Sequence, residues 1–448
     1  MKKLFGTDGI RGEAGLFPLD ATTVENIGRS LGRQLAEKLG RQPRVVTGRD
    51  TRESGGWIEE AFHSGAKAGK AECQSAGVIT TPGVAFVTNK FEFDLGIVIS
   101  ASHNPYYDNG IKIFSPSGKK VGDEIETAIE RDIFGESFAG HKADGGIVDS
   151  HRKDEFREAY LSHIAGEMSS LRLDGYSVAV DCANGAASDL APDLLHRFGA
   201  DVIAFNDKPD GRNINNNCGS LHLEHLQAKV LETRADFGVA FDGDADRALF
   251  VDEKGNVVDG DATLWIMAKY FQDHGCLKNN KVVATVMSNI GLEMALKSRG
   301  IELVRTAVGD KYVLAELLSS GSTIGGEQSG HVIFPEQSLV GDGMMTASYL
   351  LEAIKENGIA FSAMTAGFKQ FPQVLVNVEV KEKPPFESVS EIAAASREVE
   401  GELVGKGRLL LRYSGTENLA RVMIEGEDQS VIESQANRLA GLIRASLG

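Results

Sequence analysis

One serine and three aspartates are the residues of this chain whose types and spacing could do chemistry. Ser102 lies in a polar stretch directly after the apolar run 95–99, and the aspartates follow a second apolar run, 237–241. The three acidic residues alternate along the chain: Asp242, Asp244 and Asp246. An extended backbone can direct all three carboxylates at one centre, where Mg²⁺ or Mn²⁺ would offset their mutual repulsion. A hydroxyl nucleophile beside such a cation indicates phosphoryl transfer through a phosphoserine.

Two other chemistries use aspartates at a similar spacing. In an EF-hand loop the position that needs glycine for its sharp turn would be Arg247, and the preceding segment reads as a strand instead of a helix, so this hypothesis fails. A phosphatase with an aspartyl nucleophile would leave Ser102 unexplained and is the weaker hypothesis. No G-x-S-x-G motif surrounds Ser102, so a hydrolase triad is not indicated.

Three cationic side chains could stabilise a transferring phosphoryl group. Arg11 lies in the glycine-rich stretch 6–12, Lys112 lies between two isoleucines, and Arg247 directly follows the last aspartate. Cations near such a group stabilise its charge in the transition state. A surface ion pair is the alternative for each of them, and it is favoured for Arg11 and Lys112 when each is taken singly. His103, beside Ser102, is interpreted as a residue that orients the loop.

Two further loops carry side chains that could bind a phosphorylated sugar. The glycine-flanked loop 325–331 contains Glu327 and Ser329, which can bind vicinal hydroxyls, although a turn between strands has the same composition. Another loop near the C-terminus offers hydroxyls, backbone N–H groups and arginines: Arg412, Ser414, Gly415, Thr416 and Arg421. That composition is typical of a phosphate cradle and not of a tight hairpin.

The elements that position these residues follow a repeated β-α-β pattern. Strand-like runs restart near residues 44, 176 and 281, and helical and strand patterns alternate after each restart. This alternation predicts three related α/β domains whose mixed sheets are mostly parallel and covered by helices. The predicted strands are 44–48, 95–99, 176–181, 201–205, 237–241, 281–286, 301–305 and 322–325. The predicted helices are 58–69, 123–134, 186–198, 290–299 and 310–319.

The last part of the chain has a different pattern. Residues 373–380 alternate between valine and other residues, which is the period of a half-buried strand. Two more strands are predicted at 408–413 and 419–425, and a final helix carries an apolar stripe from Ile432 to Leu447. These elements predict a smaller α+β domain. The predicted domains are 1–155, 156–255, 256–370 and 371–448.

Composition limits the class of protein and its partners. The 448 residues carry a formal net charge of −17, which argues against a broad nucleic-acid-binding surface. No run approaches the ~18 apolar residues of a membrane span, and the N-terminus lacks the apolar region of a signal peptide. The four cysteines lie far apart, which indicates reduced thiols in a cytoplasmic protein. We therefore expect no nucleic-acid partner, no membrane partner and a cytoplasmic location.

Taken together and in this order, the four loops resemble those of the α-D-phosphohexomutase superfamily over nearly the whole chain. The phosphoserine, metal, sugar and phosphate loops would be 100–105, 242–247, 326–331 and 412–416. The opening stretch 6–12 and three single residues resemble bacterial members that act on glucosamine phosphate: Ser100, Ala245 and Gln328. Relatives that act on mannose or glucose phosphates commonly have methionine in place of that glutamine.

The resemblance implies four domains around a central cleft and an isomerase that interconverts glucosamine 6-phosphate and glucosamine 1-phosphate, a step toward UDP-N-acetylglucosamine and the cell wall. Phosphorylated Ser102 would form a 1,6-bisphosphate with the sugar and take the other phosphate back. One Mg²⁺ per chain would be held by Ser102 and the three aspartates, and glucosamine or glucose 1,6-bisphosphate would be the activator. The other catalytic residues would be Arg11, Lys112, Arg247 and His331, with the hydroxyl proton handled by either His331 or Lys112.

The resemblance also implies the residues that bind the substrate, a sugar phosphate. Glu327 and Ser329 would hold ring hydroxyls, and the arginine-containing loop near the C-terminus would hold the phosphate that does not react. Further candidates for substrate contact are Thr306, Gly309 and Asp310. Two alternatives stay open: phosphomannomutase or phosphoglucomutase activity on the same fold, and a non-catalytic protein that binds metal or sugar phosphate. A homodimer is one option for the oligomeric state.

Overall fold

The structure, a computed structural model, describes residues 4–6, 9–135, 148–414 and 418–448. Two compact units make up the chain: Met1–Met287 with Leu303–Ala366, and Ser288–Glu302 with Gly367–Gly448. Among the described residues, no helix combines the length and the apolar character that crossing a membrane requires.

The first α/β domain contains a five-stranded mixed sheet. Its elements are β1 (Ile10–Glu13), α1 (Ala21–Leu39), β2 (Arg44–Arg49), α2 (Gly55–Ala68), β3 (Glu72–Val78), α3 (Thr81–Lys90), β4 (Leu95–Ile99), β5 (Asp108–Phe114) and α4 (Asp123–Phe134). The strands lie in the order β1-β5-β4-β2-β3. Every residue of β4 is buried, which explains why its sequence is apolar throughout.

The second α/β domain also contains a five-stranded mixed sheet, in the order β10-β9-β8-β6-β7. Its elements are α5 (Lys153–Glu167), β6 (Ser177–Asp181), α6 (Leu190–Arg197), β7 (Asp201–Phe205), a 3₁₀ turn (Gly219–Leu221), α7 (Glu224–Thr233), β8 (Phe237–Phe241), β9 (Ala248–Asp252) and β10 (Val257–Val258). Strand β8, like β4, is buried along its whole length.

The third α/β domain has a four-stranded sheet in the order β12-β11-β13-β14. Its elements are α8 (Gly260–Asp273), a 3₁₀ turn (Lys278–Asn280), β11 (Lys281–Thr285), α9 (Ile290–Ser298), β12 (Glu302–Thr306), α10 (Asp310–Ser320), β13 (Gly325–Gly326), β14 (Val332–Ile333), α11 (Gly343–Asn357) and α12 (Phe361–Met364). Helix α9 falls within the second compact unit.

The three sheets share one strand order. Counted from β2, β6 and β11, the second strand lies beside the first, and the third and fourth follow on the other side: β3-β2-β4-β5, β7-β6-β8-β9 and β12-β11-β13-β14. In each sheet the first and third strands are parallel, and the third and fourth are antiparallel. The prediction of three related α/β domains with mixed sheets is therefore confirmed.

The prediction that these sheets are mostly parallel is wrong. In the first two sheets, half of the strand pairs are antiparallel. The connection from the third strand to the fourth is a short polar loop, and a parallel pair needs a crossover of a dozen or more residues. The antiparallel pairing therefore follows from the same polar loops that carry the candidate chemistry.

Two predicted elements differ from the structure. The helix predicted at 186–198 begins only at Leu190, because Ala183 and Asn184 have positive φ and the following residues form turns. The strand predicted at 322–325 is reduced to Gly325–Gly326, and Ser322 N instead donates to Leu317 O at the end of α10. The other predicted strands and helices overlap observed ones.

Helices α1 and α2 pack very closely in the first domain. On α2, Ile58, Phe62 and Ala66 are buried, as the predicted apolar face requires. A Cβ atom added at Gly65 would lie 1.8 Å from the carbonyl oxygen of Glu25 in α1. Glycine at this position therefore permits a backbone approach that a side chain would prevent.

The C-terminal α+β domain lies in the second compact unit. Its elements are β15 (Gln373–Glu379), a 3₁₀ turn (Phe386–Ser388), α13 (Ser390–Leu403), β16 (Gly407–Tyr413), β17 (Leu419–Gly426) and α14 (Gln429–Leu447). Both strand pairs in the order β15-β17-β16 are antiparallel. Its core joins the sheet to both helices through Val378, Ile392, Val422 and Leu439, all of them buried.

Candidate active site

The candidate residues lie on equivalent loops of the three α/β domains. Residues 100–107 connect β4 to β5, residues 242–247 connect β8 to β9, and residues 327–331 connect β13 to β14. Each connection joins the third strand of its sheet to the fourth. One repeated fold therefore supplies the serine, the aspartates and the sugar-loop residues from corresponding positions.

Ser102 and Asp242 meet in the interior of the first compact unit. The Ser102 Oγ donates a hydrogen bond of 2.5 Å to Asp242 Oδ2, and both residues are buried. Asp242 Oδ1 accepts from the backbone N–H of Arg247 at 3.2 Å. The serine and the metal loop predicted from sequence are therefore in direct contact.

The Ser102 loop is held in an unusual backbone conformation. Ser102 has φ 52°, a left-handed value that non-glycine residues seldom adopt. Its carbonyl oxygen accepts from Arg52 at 3.1 Å and from Asn215 at 2.8 Å, and the same two side chains donate to the carbonyl oxygen of Asn104. Arg52 is itself buried and paired with Asp50. Contacts from two domains therefore fix the loop around the hydroxyl.

Three carboxylates form an oxygen-only cluster beside the serine. One oxygen from each of Asp242, Asp244 and Asp246 lies within 4.8 Å of the others. Burial, followed by the charges of Asp246 and Asp244, raises the pKa of Asp242 well above its usual value. Asp244 Oδ1 is buried and has no hydrogen-bond partner among the described residues. A hard divalent cation would satisfy that oxygen and offset the mutual repulsion, so these residues fit such an ion.

Lys112 lies against the same cluster. Its Nζ is 2.9 Å from Asp244 Oδ2 and 3.2 Å from Asp246 Oδ2, and the side chain is almost fully buried. The surface ion pair that sequence considerations favour for Lys112 is therefore wrong. Its antiparallel pairing with Val98 in β4 directs this residue of β5 to the site.

Arg247 connects the metal loop to the serine loop. Its Nη1 donates to His103 Nδ1 at 3.0 Å. Burial, together with the charges of Arg247 and Arg11, lowers the pKa of His103 to about 4, so the ring is neutral and accepts at Nδ1. Although burial opposes the charged form, Asp246 and Asp242 keep the pKa of Arg247 above its usual value. The contact between Arg247 and His103 joins the loop that carries His103 to the metal loop.

A cavity of about 520 Å³ opens beside these groups. Candidate residues from all three α/β domains line it: Arg11, Asp246, Arg247, Gly309, Asp310, Glu327 and His331. Arg11 and Arg247 therefore line the same space as Asp310 and Glu327, the two acidic residues of the sugar-binding side. Its size suits a small polar ligand.

The sugar loop is anchored at both of its ends. Glu327 Oε1 accepts from the Gly309 N–H at 3.1 Å, and the Glu327 N–H donates to His331 O at 2.9 Å. His331 is buried, and its Nδ1 has no hydrogen-bond partner among the described residues. Gln328 donates to Asp259 Oδ2 at 3.2 Å and so ties the loop to the start of α8.

Two predicted substrate residues are not brought to this cavity. Ser329 is exposed, and it is not among the residues that line the described cavity. Thr306 is not among those lining residues either, and its hydroxyl donates to the adjacent Ala307 O at 3.0 Å. Their roles depend on contacts that a bound substrate would make.

In the second compact unit, Arg412 and Arg421 stand directly opposite each other on β16 and β17. Burial and the charge of Arg421 lower the pKa of Arg412. Like charges that face each other across a strand pair are destabilising unless an anion lies between them. Ser414 is buried and its carbonyl oxygen accepts from Lys383 at 2.9 Å. Gly415 and Thr416 lie outside the described residues.

Several supporting residues were missed by sequence reasoning: Arg52, Thr81, Tyr160, Asn215 and Asp342. Arg52 and Thr81 follow β2 and β3 closely, so their positions at strand ends were a usable signal. Tyr160 and Asp342 act across domains and carry no local signal of this kind. Their hydrogen bond to each other, at the N-terminus of α11, becomes visible only in three dimensions.

Four family descriptions match successive parts of the chain. They are phosphoglucomutase/phosphomannomutase alpha/beta/alpha domain I over residues 2–140, domain II over 158–255 and domain III over 259–371, and the C-terminal domain over 375–442. Together with the carboxylate cluster and the buried serine, these matches define the class of protein, a sugar-phosphate mutase.

Similarity to individual proteins narrows the class. The phosphoglucosamine mutase of Solibacter usitatus is 49% identical over 447 residues, which cover 100% of this chain and 99% of the relative. A phosphoglucomutase/phosphomannomutase family protein from Burkholderia thailandensis has the same fold, with a TM-score of 0.80, 24% identity and coverage of 99% of this chain and 98% of that one. Aspergillus fumigatus N-acetylphosphoglucosamine mutase, in complex with GlcNAc-6P and magnesium, has a TM-score of 0.68 at 19% identity, with coverage of 99% and 96%. The chain belongs to the phosphoglucosamine mutases, isomerases of the phosphoglucomutase/phosphomannomutase family.

Proposed function

We propose that this chain interconverts glucosamine 6-phosphate and glucosamine 1-phosphate through a phosphoserine at Ser102 and a 1,6-bisphosphate intermediate. The observation that carries the proposal is the 2.5 Å hydrogen bond from Ser102 Oγ to Asp242 Oδ2, at the edge of three clustered carboxylates. A serine in this position can carry a phosphoryl group beside a divalent cation. Glucosamine or glucose 1,6-bisphosphate is the proposed activator, because either can phosphorylate Ser102.

Each transfer exchanges one oxygen–phosphorus bond for another. The bond between Ser102 Oγ and phosphorus breaks as the free hydroxyl oxygen of the sugar bonds to that phosphorus and gives up its proton. The resulting bisphosphate turns round in the site and returns its other phosphoryl group to Ser102 by the reverse sequence. The products are the isomeric monophosphate and a phosphorylated serine, so no co-reactant is consumed.

We assign one Mg²⁺ to the three aspartates and an oxygen of phosphorylated Ser102. The all-oxygen donor set and the buried Asp244 Oδ1 without a described hydrogen-bond partner support this assignment. When bound, the ion supplies charge stabilisation at the transferring phosphoryl group. Lys112 would keep Asp244 and Asp246 in place, because its Nζ lies within 3.2 Å of both carboxylates.

Arg11, Arg247 and His331 are assigned to the reacting end of the cavity that they line. The two guanidinium groups would stabilise the charge of the phosphoryl group as it moves. For the hydroxyl proton we favour His331 over Lys112, because Nδ1 of the imidazole has no described hydrogen-bond partner whereas the ammonium group contacts two carboxylates. A neutral imidazole nitrogen can accept the proton that the sugar hydroxyl loses.

Substrate recognition is assigned to the sugar loop and to the start of α10. Glu327 and Ser329 would hold ring hydroxyls, with Thr306 and Gly309 as further contacts. Glu327 and Asp310 also place two carboxylates on the cavity wall. They favour glucosamine over glucose or mannose, because the protonated 2-amino group of glucosamine can pair with a carboxylate.

The C-terminal loop is proposed to bind the phosphate that is not being transferred. Arg412 and Arg421 face each other across β16 and β17, and an anion would relieve their repulsion. Hydroxyl and N–H groups of Ser414, Gly415 and Thr416 would complete this cradle. A site of this kind can hold the substrate phosphate in either orientation of the sugar.

The remaining proposals concern organisation and location. We propose domain boundaries at residues 155, 255 and 370. A cytoplasmic location is supported by the cysteines, which are all free thiols: Cys73, Cys182, Cys218 and Cys276.

The proposed function is tested by comparing kcat/KM for the 6-phosphates of glucosamine, glucose and mannose, with Mg²⁺ and a bisphosphate activator present. We expect a preference for glucosamine 6-phosphate of at least about tenfold. A smaller preference would favour a phosphomannomutase or phosphoglucomutase instead. No turnover of any of the three sugars would leave only a binding function.

A further inference from the structure

The N-termini of two helices donate hydrogen bonds to the metal loop, residues 242–247. At the first, Thr81 begins α3, and its N–H and hydroxyl donate to Asp244 O at 2.9 Å and to Asp244 Oδ2 at 2.5 Å. At the second, Gly343 begins α11, and its N–H donates to Ala245 O at 3.0 Å. The positive ends of two helix dipoles therefore flank the carboxylate cluster from different domains.

Tyr160 on α5 joins these two helices. Its ring packs against the ring of Phe86 on α3, with the centroids 6.0 Å apart. The Tyr160 hydroxyl donates to Asp342 Oδ2 at 2.9 Å. Asp342 in turn caps α11, because its Oδ1 accepts from the N–H groups of Met344 and Met345, each at 3.0 Å.

The contacts form a closed circuit through the interior. It runs from Asp244 to α3, through Tyr160 on α5 to α11, and back to the metal loop at Ala245. Tyr160 and Asp342 are almost fully buried, so water does not compete for the hydrogen bond between them. A Cβ atom at Gly343 would lie 2.8 Å from Arg247 O, so α11 rests directly against the loop.

We propose that Tyr160 and Asp342 are positioning residues that set the affinity of the carboxylate cluster for its divalent cation. Neither residue touches the cluster. They act by fixing the spacing of the two helix N-termini between which Asp244 and Ala245 are held. The proposal rests on the metal site assigned under the proposed function.

Tyr160→Phe tests the proposal because it removes the hydroxyl and keeps the ring. We expect the Kd for Mn²⁺, measured by electron paramagnetic resonance on the whole chain, to rise about tenfold, the lower end of the usual effect of removing a group that supports metal ligands. Tyr270→Phe is the matched control. It removes another bond from a phenol to a carboxylate, at 2.9 Å to Glu356 near the far end of the same helix α11, and it should leave the Kd within twofold of the wild-type value.

Asp342→Asn keeps an oxygen that can cap α11 but loses the acceptor for the Tyr160 hydroxyl. If the two residues act through this one bond, the double variant should bind Mn²⁺ about as weakly as either single variant and not about 100-fold more weakly than wild type. An unchanged Kd in Tyr160→Phe, or additive effects in the double variant, would overturn the proposal. Absence of Mn²⁺ binding by the wild-type chain would instead refute the metal site on which it rests.

Discussion

Ser102 and Asp242 lie 140 positions apart in the sequence, yet their side chains share a hydrogen bond of 2.5 Å. The bond joins corresponding loops of the first two α/β domains. A phosphate on Ser102 would bring further negative charge to a carboxylate whose pKa is already raised by burial and by two neighbouring acids. Such a phosphoserine is tolerable only beside a cation, which is why the hydroxyl and the carboxylates form one functional group.

Replacement of Ser102 by alanine should abolish phosphoryl transfer while leaving the fold intact. We expect mutase activity to fall by at least about 1,000-fold, because Ser102 supplies the hydroxyl that is proposed to form the covalent intermediate. Intact-mass measurement should find an added mass of ~80 Da on the wild-type chain, located at Ser102, and none on the variant. The exposed Ser117→Ala is the control and should match wild type in both measurements. Full activity in Ser102→Ala would exclude the phosphoserine mechanism.

Asn215 should matter for catalysis through the backbone that it holds. Its amide donates to the carbonyl oxygens of Ser102 and Asn104, so Asn215→Ala should loosen the loop and lower kcat about tenfold with little change in KM. Asn217 is the matched control, because it is exposed and also has a positive φ, of 52°. Asn217→Ala therefore carries the same backbone strain without the carbonyl contacts. Equal kcat values for the two variants would contradict a positioning role for Asn215.

The serine loop and the metal loop could be predicted from sequence because each follows a strand that is buried along its whole length. Apolar runs such as 95–99 and 237–241 identify β4 and β8, and the polar residues after them are the ones that meet. The same runs could not reveal that β5 and β9 return antiparallel. Neither strand was predicted. In β5, Lys112 interrupts the apolar pattern, and the burial of Lys112 depends on two aspartates from another domain.

The supporting contacts could not be predicted because their partners are distant in sequence and ordinary in type. Tyr160 lies on the buried face of an amphipathic helix, where a tyrosine usually means only core packing. Its partner Asp342 lies 182 positions further along the chain. The strand order shared by the three sheets was also only partly accessible, because β13 and β14 are two residues long.

His331→Asn should lower kcat by roughly 100-fold if His331 takes the proton of the sugar hydroxyl. Asparagine keeps a polar group of similar reach but cannot accept a proton at neutral pH. Binding of the bisphosphate, measured by calorimetry on the intact protein, should change little. His151 is exposed, pairs with Asp149 and is not among the residues that line the described cavity, so His151→Asn provides the control variant. Retention of more than half of the wild-type kcat by His331→Asn would leave Lys112 as the candidate base.

Arg421→Gln should weaken substrate binding more than it slows chemistry. The arginine is proposed to hold the phosphate that does not react, so its loss should raise KM by about tenfold and change kcat by less. Arg438 belongs to the same compact unit, and it pairs at the surface with Glu398 at 3.0 Å. Arg438→Gln should leave both constants unchanged. A fall in kcat at constant KM would contradict the assignment of Arg421 to the non-reacting phosphate.

Asp342 should make part of the stability depend on pH. Burial raises its pKa to about 6 from the ordinary 3.8, so the folded chain binds this proton more tightly than the unfolded chain does. Its contribution to the free energy of unfolding is at most about 3 kcal/mol. This contribution is complete below about pH 4 and is lost as the pH rises through about 6. Asp342→Asn cannot titrate. The difference in melting temperature, wild type minus variant, should therefore decrease as the pH is raised from 5 to 7.5. A constant difference for Asp342→Asn would mean that the carboxyl group stays charged across this range.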